Sequence, residues 1–222
     1  MLHAEQVVAD KSWLIVSPGR TGSKTIVNSI RYYALCKYNS KINYVEPNEI
    51  SKPIKSYDIV HSHNPKWLNE INDNTKVIIS TRDMIESTLS WCIVPKINYL
   101  DGEYHFYPYK ISSIVKFNLI NNNVKNKFYV DPTHFLSIYY DIVKFYKETQ
   151  IKDSYHILDY SEWADQPSTI LRKLNYDIDV PEKFLPLKNP GPHSDWIENW
   201  EEILEISKSL PNNGKDYFQS VS

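Results

Sequence analysis

The stretch Trp13-Leu14-Ile15-Val16-Ser17-Pro18-Gly19-Arg20-Thr21-Gly22-Ser23-Lys24-Thr25 constrains this chain more than any other part of it. Its apolar run without polar alternation reads as a strand buried on both faces, which belongs in a parallel sheet. The strand enters a turn rich in glycine, cations and hydroxyls. Behind that turn Ile26, Ile30, Tyr33 and Ala34 recur at helical spacing through about Tyr38. A helix that starts there leaves its first N–H groups without intrahelical partners and presents the positive end of its dipole, so the turn favours an anion.

A second segment of the same kind follows. Val77-Ile78-Ile79-Ser80-Thr81-Arg82-Asp83 reads as a strand with a cation at its end, and Asp83 opens a helix-compatible stretch that reaches Ser90. Between the two, Tyr57 with Ile59-Val60 reads as a strand entering His61-Ser62-His63, and Pro65 ends it and starts a short helix to Leu68. The patterning then predicts a helix over 133–148, a strand over 155–158, a helix over 167–174 and an extended connector over 181–192. Asp195 with Glu198 reads as the capping box of a last helix to about Leu210. Residues 94–130, with Pro95, Pro108 and Asn122-Asn123, are the least regular, a helix with long loops. Strands alternating with helices predict an α/β fold: one domain over 1–222, a three-layer sandwich around a mostly parallel sheet with right-handed crossovers.

Composition narrows the partners. A formal net charge of −2 gives the surface no general bias toward nucleic acid or acidic membranes. Cys36 and Cys92 are too few for a disulfide framework and form no CxxC metal pattern, which points to a reducing compartment. Residues 1–11 lack the layout of a signal peptide, and no apolar run approaches the roughly 20 residues that cross a bilayer. A soluble, cytoplasmic protein is expected; its oligomeric state is left open.

The first turn differs from the P-loop of NTPases, which places its Lys six residues after the first Gly and directly after a second Gly. Here Lys24 comes five residues after Gly19 and follows Ser23. The set as a whole resembles the sulfotransferases that use 3′-phosphoadenosine 5′-phosphosulfate, PAPS. Gly19-Arg20-Thr21-Gly22-Ser23-Lys24-Thr25 is similar to their first phosphate loop, and Arg82 with Ser90, eight residues on, is similar to their second signature. His61-Ser62-His63-Asn64-Pro65 resembles their Lys-Thr-His-x-Pro stretch, and Ile157-Leu158-Asp159-Tyr160-Ser161-Glu162 their strand that ends in Tyr-Glu-Asp. The resemblance spans roughly residues 12–175.

That resemblance implies roles. Gly19, Arg20, Thr21, Gly22, Ser23, Lys24 and Thr25 hold the 5′-phosphosulfate, with Arg20 and Lys24 stabilising the leaving phosphate. His63 is the base that takes the acceptor's proton, Arg82 and Ser90 hold the 3′-phosphate, and Tyr160 lies near the adenine. PAPS is the co-substrate and no metal is required. Two departures stand out. His61 occupies the place where the family often has lysine, and the late glycine loop that closes over the nucleotide has Lys188-Asn189-Pro190-Gly191-Pro192-His193-Ser194-Asp195-Trp196 as its nearest counterpart, with Lys188 as a phosphate contact. The expected acceptor is a small molecule or carbohydrate and residues 94–130 its side of the site, where Tyr99, Tyr104, Phe106, Tyr107 and Tyr109 read as an aromatic loop packed on the sheet edge or, alternatively, as the lining of an acceptor pocket.

Other readings of the same residues stay open. His61 and His63 share one strand face and could form a metal pair, although no third ligand pattern lies nearby. His63 could be structural, with His105 or His193 as base, and Tyr160 could be core. The alternatives for the whole chain are a small-molecule or nucleotide kinase with a shortened P-loop, which needs Mg²⁺, and a non-catalytic nucleotide- or glycan-binding module.

Overall fold

All five residues of β1, Ser12–Val16, are buried, which is why this strand shows no polar alternation. Parallel partners flank it on both sides. The computed structural model describes residues 12–38, 44–45, 59–100, 127, 129–185 and 193–220. After β1 come α1 (Ser23–Tyr38), β2 (Tyr44–Val45), β3 (Ile59–Ser62), β4 (Thr75–Thr81) and α2 (Met84–Leu100). Then follow α3 (Pro132–Glu148), β5 (Gln150–Ile151), β6 (His156–Asp159), α4 (Ile170–Lys173), α5 (Trp200–Lys208) and β7 (Gln219–Ser220). The fold is mixed α/β, as the patterning predicts.

The central sheet has five strands in the order β2-β3-β1-β4-β6, all parallel. The chain leaves β1 toward the β2 edge and leaves β4 toward the β6 edge, so the topological switch falls between the two central strands. Open parallel sheets place ligands outside the strand ends at such a point. β1 and β3 end level, Val16 facing Ser62, while β4 runs two residues further, from Ile79 opposite Val16 to Thr81 opposite Asp159 of β6. The short strands β5 and β7 pair with each other, also in parallel.

The described residues fall into two compact units. The first takes in 1–82, 144–185 and 214–222, and it holds the sheet. Its core packs Trp13, Ile15 and Ile78 of the sheet against Ile26 and Ile30 of α1 and Ile170 and Leu171 of α4. The second takes in 83–143 and 186–213. There Leu89, Cys92 and Ile93 of α2 pack with Val130, Phe135, Ile197 and Ile203.

Two elements differ from the sequence reading. Helix α2 continues through Pro95 to Leu100, where irregular structure was expected from residue 94. A proline inside a helix removes a hydrogen bond and crowds the preceding turn, and here the buried turn at Leu89, Cys92 and Ile93 anchors the helix regardless. The last helix starts at Trp200, and Asp195 belongs to a separate 3₁₀ turn, His193–Asp195. Asn199 occupies the cap position but does not cap, because its side-chain amide bonds both the N–H and the carbonyl of Val130, at 3.0 and 2.9 Å. Among the described residues no helix is long and apolar enough to cross a membrane.

Candidate functional site

The turn between β1 and α1 has left-handed backbone at three residues: Gly19 (φ 90°), Arg20 (φ 57°) and Gly22 (φ 78°). Glycine adopts this conformation freely, whereas at Arg20 it costs about 1–2 kcal/mol, which the surrounding contacts must offset. Ser80 Oγ donates to the Thr21 carbonyl at 2.8 Å, and Arg82 Nη1 donates to the Arg20 carbonyl at 3.1 Å. Both donors come from the end of β4, the strand next to β1. Gly22 lies under the rings of Tyr160 and Trp163, where a Cβ would collide with both. Helix α1 then opens, with the Thr25 N–H donating to the Gly22 carbonyl at 2.8 Å.

Inside this turn the Thr21 hydroxyl is fully buried and has no hydrogen-bond partner among the described residues. A hydroxyl left in that condition costs about 1–3 kcal/mol, so its place at the mouth of a sixteen-residue helix fits a turn that accepts ligand oxygens. The guanidinium of Arg20 is mostly enclosed. Burial first, and the charge of Arg82 second, push its pKa down to about 10, still far above neutrality.

The histidine segment sits beside this turn because Ser17 continues the β1–β3 ladder, its N–H donating to the Ser62 carbonyl at 3.0 Å. His61 is buried and His63 exposed, and their rings meet edge to face at 4.5 Å. His63 Nδ1 lies 2.9 Å from the Ser17 carbonyl. A carbonyl only accepts, so Nδ1 carries the proton and the lone pair of neutral His63 is on Nε2. His61 Nε2 lies 3.2 Å from Ser17 Oγ. Burial, followed by the charges of His63 and Lys24, holds His61 well below the usual histidine range, so it is neutral at physiological pH. Lys24, on the first turn of α1, thus bears on the same pair. Among the described residues no group of three or more potential metal ligands comes together.

Arg82 follows the last residue of β4. Its guanidinium carbon stands 4.5 Å from the centroid of the Tyr160 ring, and its main-chain N–H lies 3.4 Å from the Tyr146 hydroxyl. Tyr160 begins a 3₁₀ turn after β6, and Asp159 caps that turn by accepting from the Ser161 N–H at 3.0 Å. Asp159 also accepts from Thr81 Oγ1 at 3.0 Å and pairs with Lys215 at 2.9 Å. Burial alone would raise its carboxyl, but the bonds from Ser161 and Lys215 outweigh that and hold it below the usual carboxylate range.

The first unit therefore brings Gly19 to Thr25, His63, Arg82 and Tyr160 together at the C-terminal edge of the parallel sheet. Ser90 lies in the second unit, buried in α2, and Lys188 lies outside the described residues, as do Tyr104, His105, Phe106, Tyr107 and Tyr109. His193, also of the second unit, contacts Glu86 there, Nδ1 to carboxylate, at 3.0 Å. Sequence reasoning missed Ser17, Ser80, Trp163 and Lys215. The first two are ordinary strand-end serines, and nothing local marks Trp163 or Lys215 as neighbours of residues far away in the chain.

No protein-family model, curated protein or solved structure matches this chain. The arrangement must be judged on its chemistry. It offers a helix N-terminus, two guanidiniums, an ammonium, a buried hydroxyl and an oriented imidazole, the parts needed to bind a polyanion and take a proton from a second reactant.

Proposed function

We propose that this protein transfers a sulfuryl group from PAPS to a hydroxyl or amine acceptor. The observation that carries the reading is the pairing of Arg20 and Arg82 on the turn that opens α1. Two cations on one turn at a helix N-terminus repel each other, and bound phosphate groups relieve both the repulsion and the desolvation. The flat Tyr160 ring under Arg82 adds a surface suited to a purine beside a phosphate.

In this reading the acceptor hydroxyl gives its proton to Nε2 of His63 as its oxygen bonds to sulfur. The bond from sulfur to the bridging oxygen of the 5′-phosphate breaks, and the electron pair leaves with the phosphate. The products are the sulfated acceptor and 3′-phosphoadenosine 5′-phosphate. Such a loose transition state builds charge on the leaving oxygen, which Arg20, Lys24 and the first N–H groups of α1 stabilise. Arg82 is assigned to the 3′-phosphate.

The kinase alternative needs a strand-end carboxylate for Mg²⁺; Asp83 accepts from the Glu86 N–H at 2.9 Å as the cap of α2, and Asp159 at the end of β6 is paired with Lys215 at 2.9 Å. Calorimetric titration of metal-free protein with 3′-phosphoadenosine 5′-phosphate, beside ATP with Mg²⁺, tests the reading. Binding of the former is expected. Preference for Mg-ATP would transfer the site to the kinases, and binding of neither would remove the nucleotide altogether.

A further inference from the structure

Ser17 stands between two histidines. Its carbonyl takes the Nδ1 proton of His63 at 2.9 Å, its hydroxyl lies 3.4 Å from the same nitrogen, and that hydroxyl is 3.2 Å from His61 Nε2. Ser17, directly after β1, and His61, on β3, are both buried, and Ile15 facing His61 in the register places Ser17 level with His63. A hydroxyl has one proton to give and two lone pairs. When Ser17 Oγ donates to His61 Nε2, its lone pairs turn toward His63 Nδ1–H, and the direction of all three groups is set.

We propose that His61 is a positioning residue for His63: its bond to the Ser17 hydroxyl turns that oxygen into a second acceptor for His63 Nδ1–H, beside the Ser17 carbonyl, and so holds the ring at the end of β3. His61 suits this task because it stays uncharged, with Nε2 as an acceptor. A charged imidazolium in its place would have to donate to Ser17 and would reverse the bond. Among the groups that bear on it are Ser17 just after β1, His63 on its own segment and Lys24 on α1, and the charges of His63 and Lys24 disfavour a further cation there. A lysine at position 61 would put a charge where this chain uses a neutral acceptor.

The catalytic consequence rests on the proposed sulfuryl transfer, but the tautomer does not, and the test keeps the two apart. Long-range ¹H–¹⁵N correlation spectra of the full chain labelled on histidine read the protonation of each ring nitrogen directly. In the wild type His63 should be the Nδ1–H tautomer. Ser17→Ala and His61→Leu keep the Ser17 carbonyl but lose the second acceptor, so the share of the Nδ1–H tautomer should fall, whereas His61→Gln, which keeps a polar group at the ε position, should restore most of the wild-type signal. With PAPS and an accepted acceptor, His61→Leu should lower kcat by about tenfold, the lower part of what a general base contributes, and leave the KM for PAPS within about twofold. An unchanged His63 tautomer in both Ser17→Ala and His61→Leu overturns the proposal, and Ser17→Ala decides the matter alone if the larger change unfolds the chain. A tautomer shift in a protein that transfers no sulfuryl group would uphold the positioning and reject the reaction.

Discussion

Arg82 stacks its guanidinium on the ring of Tyr160 at 4.5 Å, while one of its nitrogens donates to the carbonyl of Arg20 at 3.1 Å. One side chain thus joins the ends of β4 and β6 to the turn after β1. The guanidinium face is used by the ring and one edge by the carbonyl, an orientation that a lysine could not reproduce. Arg82→Ala should weaken binding of 3′-phosphoadenosine 5′-phosphate by about 10–100-fold, the value of one or two charge-assisted hydrogen bonds. A nucleotide lacking the 3′-phosphate should lose less. Calorimetry on both ligands checks the difference, and equal losses would assign Arg82 to the fold alone.

His63 is exposed, so its removal should disturb little else. His63→Ala should leave affinity for 3′-phosphoadenosine 5′-phosphate within about twofold and reduce turnover by about 10²–10⁴-fold. Steady-state rates with saturating PAPS measure this, and an unchanged kcat would move the base to another residue.

Gly22 has φ 78° and sits against two aromatic rings. Gly22→Ala combines an unfavourable left-handed backbone with overpacking against Tyr160 and Trp163, and should destabilise the protein by about 2–4 kcal/mol. Urea unfolding gives the value. A loss below about 0.5 kcal/mol would mean that the turn relaxes away from the rings.

The buried His61 makes stability depend on pH in a defined direction. Its pKa is depressed in the folded state, so below about pH 6.5 the unfolded chain binds a proton that the folded chain does not. Stability should therefore fall as the pH drops from about 6.5 toward 5, by up to about 1.4 kcal/mol per pH unit for this one group. His156, also depressed by burial and by Lys76, adds to the same slope. Urea midpoints at pH 7 and 5 should show His61→Gln less acid-sensitive than the wild type. An identical slope in the variant would show that His61 is charged in the fold.

Much of this was legible because it is written locally. Trp13 to Val16 and Val77 to Ile79 are apolar runs that only a sheet covered on both faces can bury, and the glycines of the first turn announce left-handed backbone before α1. His63 and Arg82 could be picked out because each follows such a strand. What failed was equally local in cause. Asp195 and Glu198 have the spacing of a capping box, yet Asn199 sits at the helix start with its amide engaged by Val130, a residue far back in the chain. Pro95 falls in the stretch read as least regular, but the turn before it is buried and the helix goes on.

The sequence by itself determined the strand–turn–helix units, their parallel pairing and the anion-favouring turn, since these follow from hydrophobic period, glycine and the dipole of a new helix. Only the tertiary structure decided that Ser17 would lie between His61 and His63, that Arg82 would rest on Tyr160, and that Lys215 would meet Asp159. Those contacts depend on strand order and register, which bring distant residues to one edge of the sheet and leave no period or spacing in the chain to reveal them.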